Sequence, residues 1–183
     1  SLKKLREMYN VDNNIRNHIG TSNGYIYEVT AKELIKTGFL AKPILEYVET
    51  NINAEVEYDI TPEDEAYFIK NKDLHEHVLS QIADFPARNK IIVDRYLKNK
   101  DRYGKTLIFA ININHAKTLK KEFDENGISC EYVVSGMKDK NQIIEDFRNN
   151  KFNVLINVQI LTAGTDIPDI QTIFVARETN SDV

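Results

Sequence analysis

One stretch of the sequence gathers groups able to hold a phosphate or a sugar: Gln159-Ile160-Leu161-Thr162-Ala163-Gly164-Thr165-Asp166-Ile167-Pro168-Asp169. Thr162 and Thr165 supply hydroxyls, Gly164 leaves the backbone open to close approach, Asp166 and Asp169 supply acceptors, and Pro168 ends the run stiffly. The same composition also serves simply to turn a corner between strands, and spacing alone leaves both readings open. Further polar candidates follow two other apolar runs. They are Asn112, Asn114 and His115 after the first, and Ser135 and Gly136 after the second. Asn114 and His115 are equally suited to capping the next helix.

Other groupings imitate catalytic motifs without meeting their requirements. Gly104-Lys105-Thr106 ends like a phosphate-binding loop, but Asn99 stands where the earlier glycine belongs, and the segment leads into a strand rather than a helix. Asp64-Glu65 follows Thr61-Pro62-Glu63 instead of closing an apolar strand, so it reads as a helix start and not as a metal-binding pair. His75 and His77 are two apart, which on a helix directs them away from each other, and His18 and His115 have no evident co-ligands. Cys130 is the single cysteine, set in a strand-like run, and reads as a small buried residue. No metal site is expected.

The elements that must position these groups alternate regularly. Apolar runs predict strands over 106–110, 130–134, 154–158 and 172–176, with helices over about 114–126, ended by Gly127, and about 140–149 between the first three. The last two strands read as buried on both faces. Such alternation implies a parallel sheet with right-handed crossovers and helices on both faces, with ligands at the carboxyl ends of the strands. Upstream, residues 59–104 form a helical region interrupted near Pro86, opened by Thr61 as N-cap and Pro62 at the first position. Before that, strands over 25–29 and 44–48 flank a helix capped by Thr30 and Glu33 and ended by Gly38, a β-α-β piece. Residues 1–24 read as a basic helix followed by an Asn-rich loop and carry no assigned role. The expected organisation is therefore 1–58, 59–104 and 105–183.

At 183 residues, with 42% apolar and 28% charged residues, the chain falls in the size and composition range of one globular domain. Nothing approaches the length of a membrane span or resembles a secretory signal, so a cytoplasmic protein is expected. A net charge of −4 argues against bulk electrostatic grip on nucleic acid. It leaves room for a few directed phosphate contacts.

Leu161-Thr162-Ala163-Gly164-Thr165-Asp166-Ile167-Pro168, followed by Ile173-Phe174-Val175-Ala176-Arg177, resembles motif V of superfamily 2 helicases and translocases, especially the restriction-enzyme motor-subunit branch. That branch usually has Glu at the place of Ala163 and Pro at that of Glu178. Thr106-Leu107-Ile108-Phe109-Ala110 with His115-Ala116 resembles motif IV, and Val134-Ser135-Gly136 occupies the place of the next nucleic-acid-contacting loop. Residues 31–43 resemble the segment between the two motor domains. The fit covers most of the chain from Tyr25 onward, more loosely over 49–100.

The resemblance implies the second RecA-like domain of an ATP-dependent DNA helicase or translocase, truncated before its arginine-bearing motif VI. It implies nucleotide contacts from Gly164 and Asp166, and nucleic-acid contacts from Thr162, Asn112, Asn114, His115, Ser135 and Gly136. ATP and Mg would be used by the complete enzyme, with the phosphate cradle and metal ligands on a first RecA-like domain of the same polypeptide. No catalytic residue is expected in this chain, and the chain alone is expected to be inactive. An RNA motor, or a non-enzymatic docking module that keeps the motor fold, are the alternatives.

Overall fold

The computed structural model describes residues 29–49, 58–161, 167 and 169–177. The chain divides into two compact units, Ser1–Val48 and Glu49–Val183. In the first, helix α1 (Ala31–Lys36) begins with a reciprocal cap: Glu33 N–H donates to the Thr30 hydroxyl at 3.2 Å, and Thr30 N–H donates to the Glu33 carboxylate at 3.0 Å. The strand expected over 44–48 does not form. Ile44 and Tyr47 are 83% and 89% exposed, and a short apolar run that buries so little of itself has little to hold it as a strand. Its expected partner over 25–29 lies, apart from Val29, outside the described residues, as does the helix expected near the start of the chain.

The second unit opens with α2 (Pro62–Asn71), α3 (Glu76–Ala83) and α4 (Pro86–Tyr103). Pro62 and Pro86 begin their helices, where the missing N–H leaves no hydrogen bond unmade. Then follow β1 (Thr106–Phe109), α5 (Ile113–Glu125), β2 (Cys130–Val133), α6 (Lys140–Arg148), β3 (Val154–Asn157) and β4 (Thr172–Val175). Gly104-Lys105-Thr106 does lead into a strand, and Asp64-Glu65 lies in the first turn of α2. Gly104 has a φ of 53°, and an added Cβ would meet the Gln171 side-chain oxygen at 1.6 Å. That oxygen accepts from Lys105 N–H and ties the start of β1 to the start of β4.

All strand pairs are parallel, in the order β2-β3-β1-β4. One face buries Ile108, Val154 and Ile156 against Val93 and Tyr96 of α4 and Leu119 and Phe123 of α5. The other joins Leu107, Val133 and Leu155 to Phe147 of α6 and to Phe152, Leu161 and Ile167. The chain passes from β1 to β2 over the first face and returns from β2 to β3 over the second. Reversing both direction and face keeps the crossover hand constant. The step from β3 to β4 runs in that return direction, and Leu161 and Ile167 of this connection lie on the second face, as the same hand requires.

β3 is buried throughout, but β4 corrects the expectation of two buried faces. Its Ile173 and Val175 are 56% and 60% exposed, because among the described residues β4 is an edge strand and α6 lies toward the opposite edge.

Candidate nucleotide and nucleic-acid interface

The four strands end in register. Val133 and Phe109 both pair with Asn157, and Phe109 also pairs with Val175. One residue beyond this row, Val158 N–H donates to the Val133 carbonyl, Ala110 N–H to the Asn157 carbonyl and Ala176 N–H to the Phe109 carbonyl, all within 3.1 Å. Three inter-strand spacings therefore place four outgoing connections along one edge of about 14 Å. The connection after β1 goes to the α4/α5 face and that after β3 to the α6 face. Adjacent strands whose connections part in this way leave a crevice between them, the usual ligand position in such sheets.

Among the residues expected at this edge, Asn112 is the N-cap of α5 and its side chain accepts from His115 N–H at 2.8 Å. Asn114 is exposed, with its amide 3.5 Å from the Asp84 carboxylate. Ser135 and Gly136 are exposed, and a Cβ added at Gly136 would meet nothing within 4 Å, so this backbone can be approached closely. Thr162, Ala163, Gly164 and Asp166 lie outside the described residues.

His115 requires a correction. Its side chain is fully buried, and its Nδ1 accepts from Ile111 N–H at 3.1 Å, so the ring shapes the turn after β1 and is not available to nucleic acid. Burial first, and then the nearby Arg88 charge, lower its pKa to about 4. The imidazole is thus neutral at pH 7. Cys130 is buried, as expected, and burial raises its thiol pKa well above the usual range.

Three features escaped the reading of the sequence. Asn157, fully buried at the end of β3, accepts from Ile160 N–H at 3.0 Å and Leu161 N–H at 2.8 Å, and its amide donates to the Leu161 carbonyl at 3.2 Å. Arg88 of α4 donates to the Ala176 carbonyl at 2.9 Å, just past β4. His75 and His77 converge on one carboxylate, with Nδ1 atoms 2.7 and 3.0 Å from the Asp64 oxygens. They were expected to diverge, but His75 precedes α3 in extended conformation, so the two do not share a helix face. The Thr61 hydroxyl, then the Thr61 N–H, hold the Asp64 carboxyl far below its ordinary range. Among the described residues, no group of three or more His, Cys, Asp or Glu is placed to hold a metal ion, and no helix is long and apolar enough to cross a membrane.

At the opposite end of the sheet, Gly104, Lys105, Asn153 and Gln171 line part of an open recess of about 440 Å³. It lies at the amino ends of the strands, away from the edge where such sheets bind ligands.

Residues 87–181 match the family described as "Helicase conserved C-terminal domain". The matched span takes in all four strands and most of α4. The chain belongs to this helicase C-terminal domain family, with the α/β architecture of a RecA-like parallel sheet. It is 36% identical over 56% of its length to "Putative ATP-dependent helicase IRC3" of Saccharomyces cerevisiae. It is 30% identical over 79% of its length to "Putative mitochondrial ATP-dependent helicase irc3" of Schizosaccharomyces pombe. These alignments span 16% and 22% of the two relatives. The solved Pyrococcus furiosus Hef helicase domain aligns over 61% of the chain and 22% of its own, with a TM-score of 0.38 and 18% identity.

Proposed function

We propose that the chain is part of an ATP-dependent DNA helicase or translocase, in which it forms one wall of the nucleotide site and part of the nucleic-acid track. The in-register strand ends carry this reading, because they bring Asn112, Asn114, Ser135, Gly136 and the turn ending at Leu161 to one edge within the helicase-matched span. The names of the two helicase relatives support ATP use. Asp166 meets the nucleotide ribose, Gly164 permits close backbone approach, and Thr162 contacts a nucleic-acid phosphate. Asn114, Ser135 and the Gly136 backbone extend the phosphate track. In this reading the Mg ligands and the phosphate cradle belong to a first RecA-like domain of the same polypeptide. Cytoplasmic location belongs to the same reading.

ATP turnover by the complete protein, measured with DNA, with RNA and without nucleic acid, tests it. DNA should stimulate turnover, while the isolated 183-residue chain should show none, because its sequence holds no phosphate-binding loop to position the charges that phosphoryl transfer needs. Asp166→Ala should weaken ATP use by about 1–2 kcal/mol, the value of one hydrogen bond. Thr162→Val should spare nucleotide affinity and reduce DNA stimulation. Equal loss of both activities and of thermal stability in each variant would reduce the loop to a turn. Stimulation by RNA alone would change the substrate.

A further inference from the structure

The chain leaves β3 through a turn built on one side chain. Asn157 is the last residue of β3, and its carbonyl accepts from Ala110 N–H, so its backbone belongs to the sheet. Its carboxamide belongs to the turn, accepting from Ile160 and Leu161 N–H and donating to the Leu161 carbonyl. Both backbone polar groups of Leu161 are thereby fixed by a single planar, fully buried group. Between them Gln159 adopts a left-handed φ of 58°, which reverses the chain toward the α6 face. Leu161 and, further along the chain, Ile167 are buried in one apolar cluster with Phe147, Phe152 and Leu155. The connection is thus held at both ends, and its polar anchor lies where the connections after β1 and β3 part.

We infer that Asn157 is a positioning residue: without touching ligand, it sets the place and direction in which the chain departs toward Thr162, Gly164 and Asp166. This inference rests on the function proposed above. The chemistry required is specific. The anchor must accept two N–H bonds and donate one, without charge, in a buried setting. Leucine has the shape and none of the polar atoms, while ionised aspartate accepts both N–H bonds but turns a negative oxygen on the Leu161 carbonyl. Protonated aspartic acid restores all three bonds, and burial beside that carbonyl favours the protonated form.

The test uses the complete protein with Asn157→Asp, Asn157→Leu and, as a stability control on the opposite face, Leu119→Ala, all assayed below their melting temperatures. At neutral pH the ratio of DNA-stimulated to basal ATPase should fall about tenfold in both Asn157 variants and stay near wild type in the control. The ratio in Asn157→Asp should recover as pH is lowered, whereas Asn157→Leu should not recover. Native-state hydrogen exchange on the wild-type protein provides a measurement that needs no variant to fold. The Ile160 and Leu161 amides should be protected to the level of β3. A stimulated wild type whose Asn157 variants keep the full ratio, or Ile160 and Leu161 amides that exchange as freely as exposed loop, overturns the inference alone. A wild type that DNA does not stimulate overturns the functional reading, and this one with it.

Discussion

On one face of the sheet, α4 and α5 lay Val93, Tyr96, Leu119 and Phe123 over residues from all four strands. On the other, α6 is joined in the core by the β3-to-β4 connection, and the β4 side chains beyond it stand open. The first face is closed by helices whose backbones satisfy themselves. The second is completed by residues outside helix and strand, Leu161 and Ile167 among them, and backbone polar groups in such places need partners supplied side chain by side chain. Asn157 supplies them at the turn after β3, and Leu161 and Ile167 supply the burial. The chain leading to Thr162, Gly164 and Asp166 therefore hangs from the less redundant face, where a few contacts set the geometry and few neighbours share the load.

Four substitutions probe this contrast. Phe123→Ala on the closed face removes a fully buried ring that packs edge-on against Tyr96 at 5.4 Å, and should destabilise the protein by about 3–5 kcal/mol in urea unfolding. Leu161→Ala on the other face should lose less, about 2–3 kcal/mol, since a smaller side chain is removed. It should also reduce DNA-stimulated ATPase more than its stability loss explains. If Phe123→Ala shifts the stimulation ratio as strongly, the two faces do not differ in function.

The third prediction concerns pH. His115 on the closed side titrates near 4 when folded, against 6.5 for an ordinary histidine, so below 6.5 the unfolded chain binds the proton the native ring refuses. Its contribution is complete above about pH 6.5 and declines as pH falls toward 4. Between about pH 7.5 and pH 5 the loss should be about 2 kcal/mol, and His115→Gln should lack that increment of slope in urea unfolding. A slope identical in both proteins would contradict the buried, neutral ring. The smallest effect is expected at the open margin. Ile173→Ser should change stability by about 0.5 kcal/mol or less, because the side chain is 56% exposed. A large loss in thermal unfolding would show that something covers β4 after all.

The helix starts and the strand alternation were legible in the sequence because they are local. Thr30 with Glu33, Thr61 with Pro62, and the apolar runs each act within a few residues. What was hidden depends on distant neighbours. Residues 44–48 have the composition of a strand, yet no strand forms there. His115 reads as a polar residue after a strand, but Arg88 and the turn at Ile111 enclose it. Asn157 reads as an ordinary strand end, and nothing within Val154-Leu155-Ile156-Asn157 reveals that the chain doubles back on it. His75 and His77 mislead through a helix-face rule, because the helix begins between them and Asp64 draws both rings from another element. Thr162, Gly164 and Asp166 were proposed from resemblance to a motif, and the structure adds the geometry of the residues on either side of them.

β4 has one further consequence, which concerns solubility. Its inner side is hydrogen-bonded to β1, and among the described residues no strand pairs with its outer side. Backbone donors and acceptors there alternate along an extended segment that also displays Ile173 and Val175. Such a margin is a template on which another extended chain can register, and identical copies carry the same template at the same concentration. Purified alone, the 183-residue chain should consequently show concentration-dependent self-association, which lysine substitution at Val175 relieves by placing a charge at every new junction.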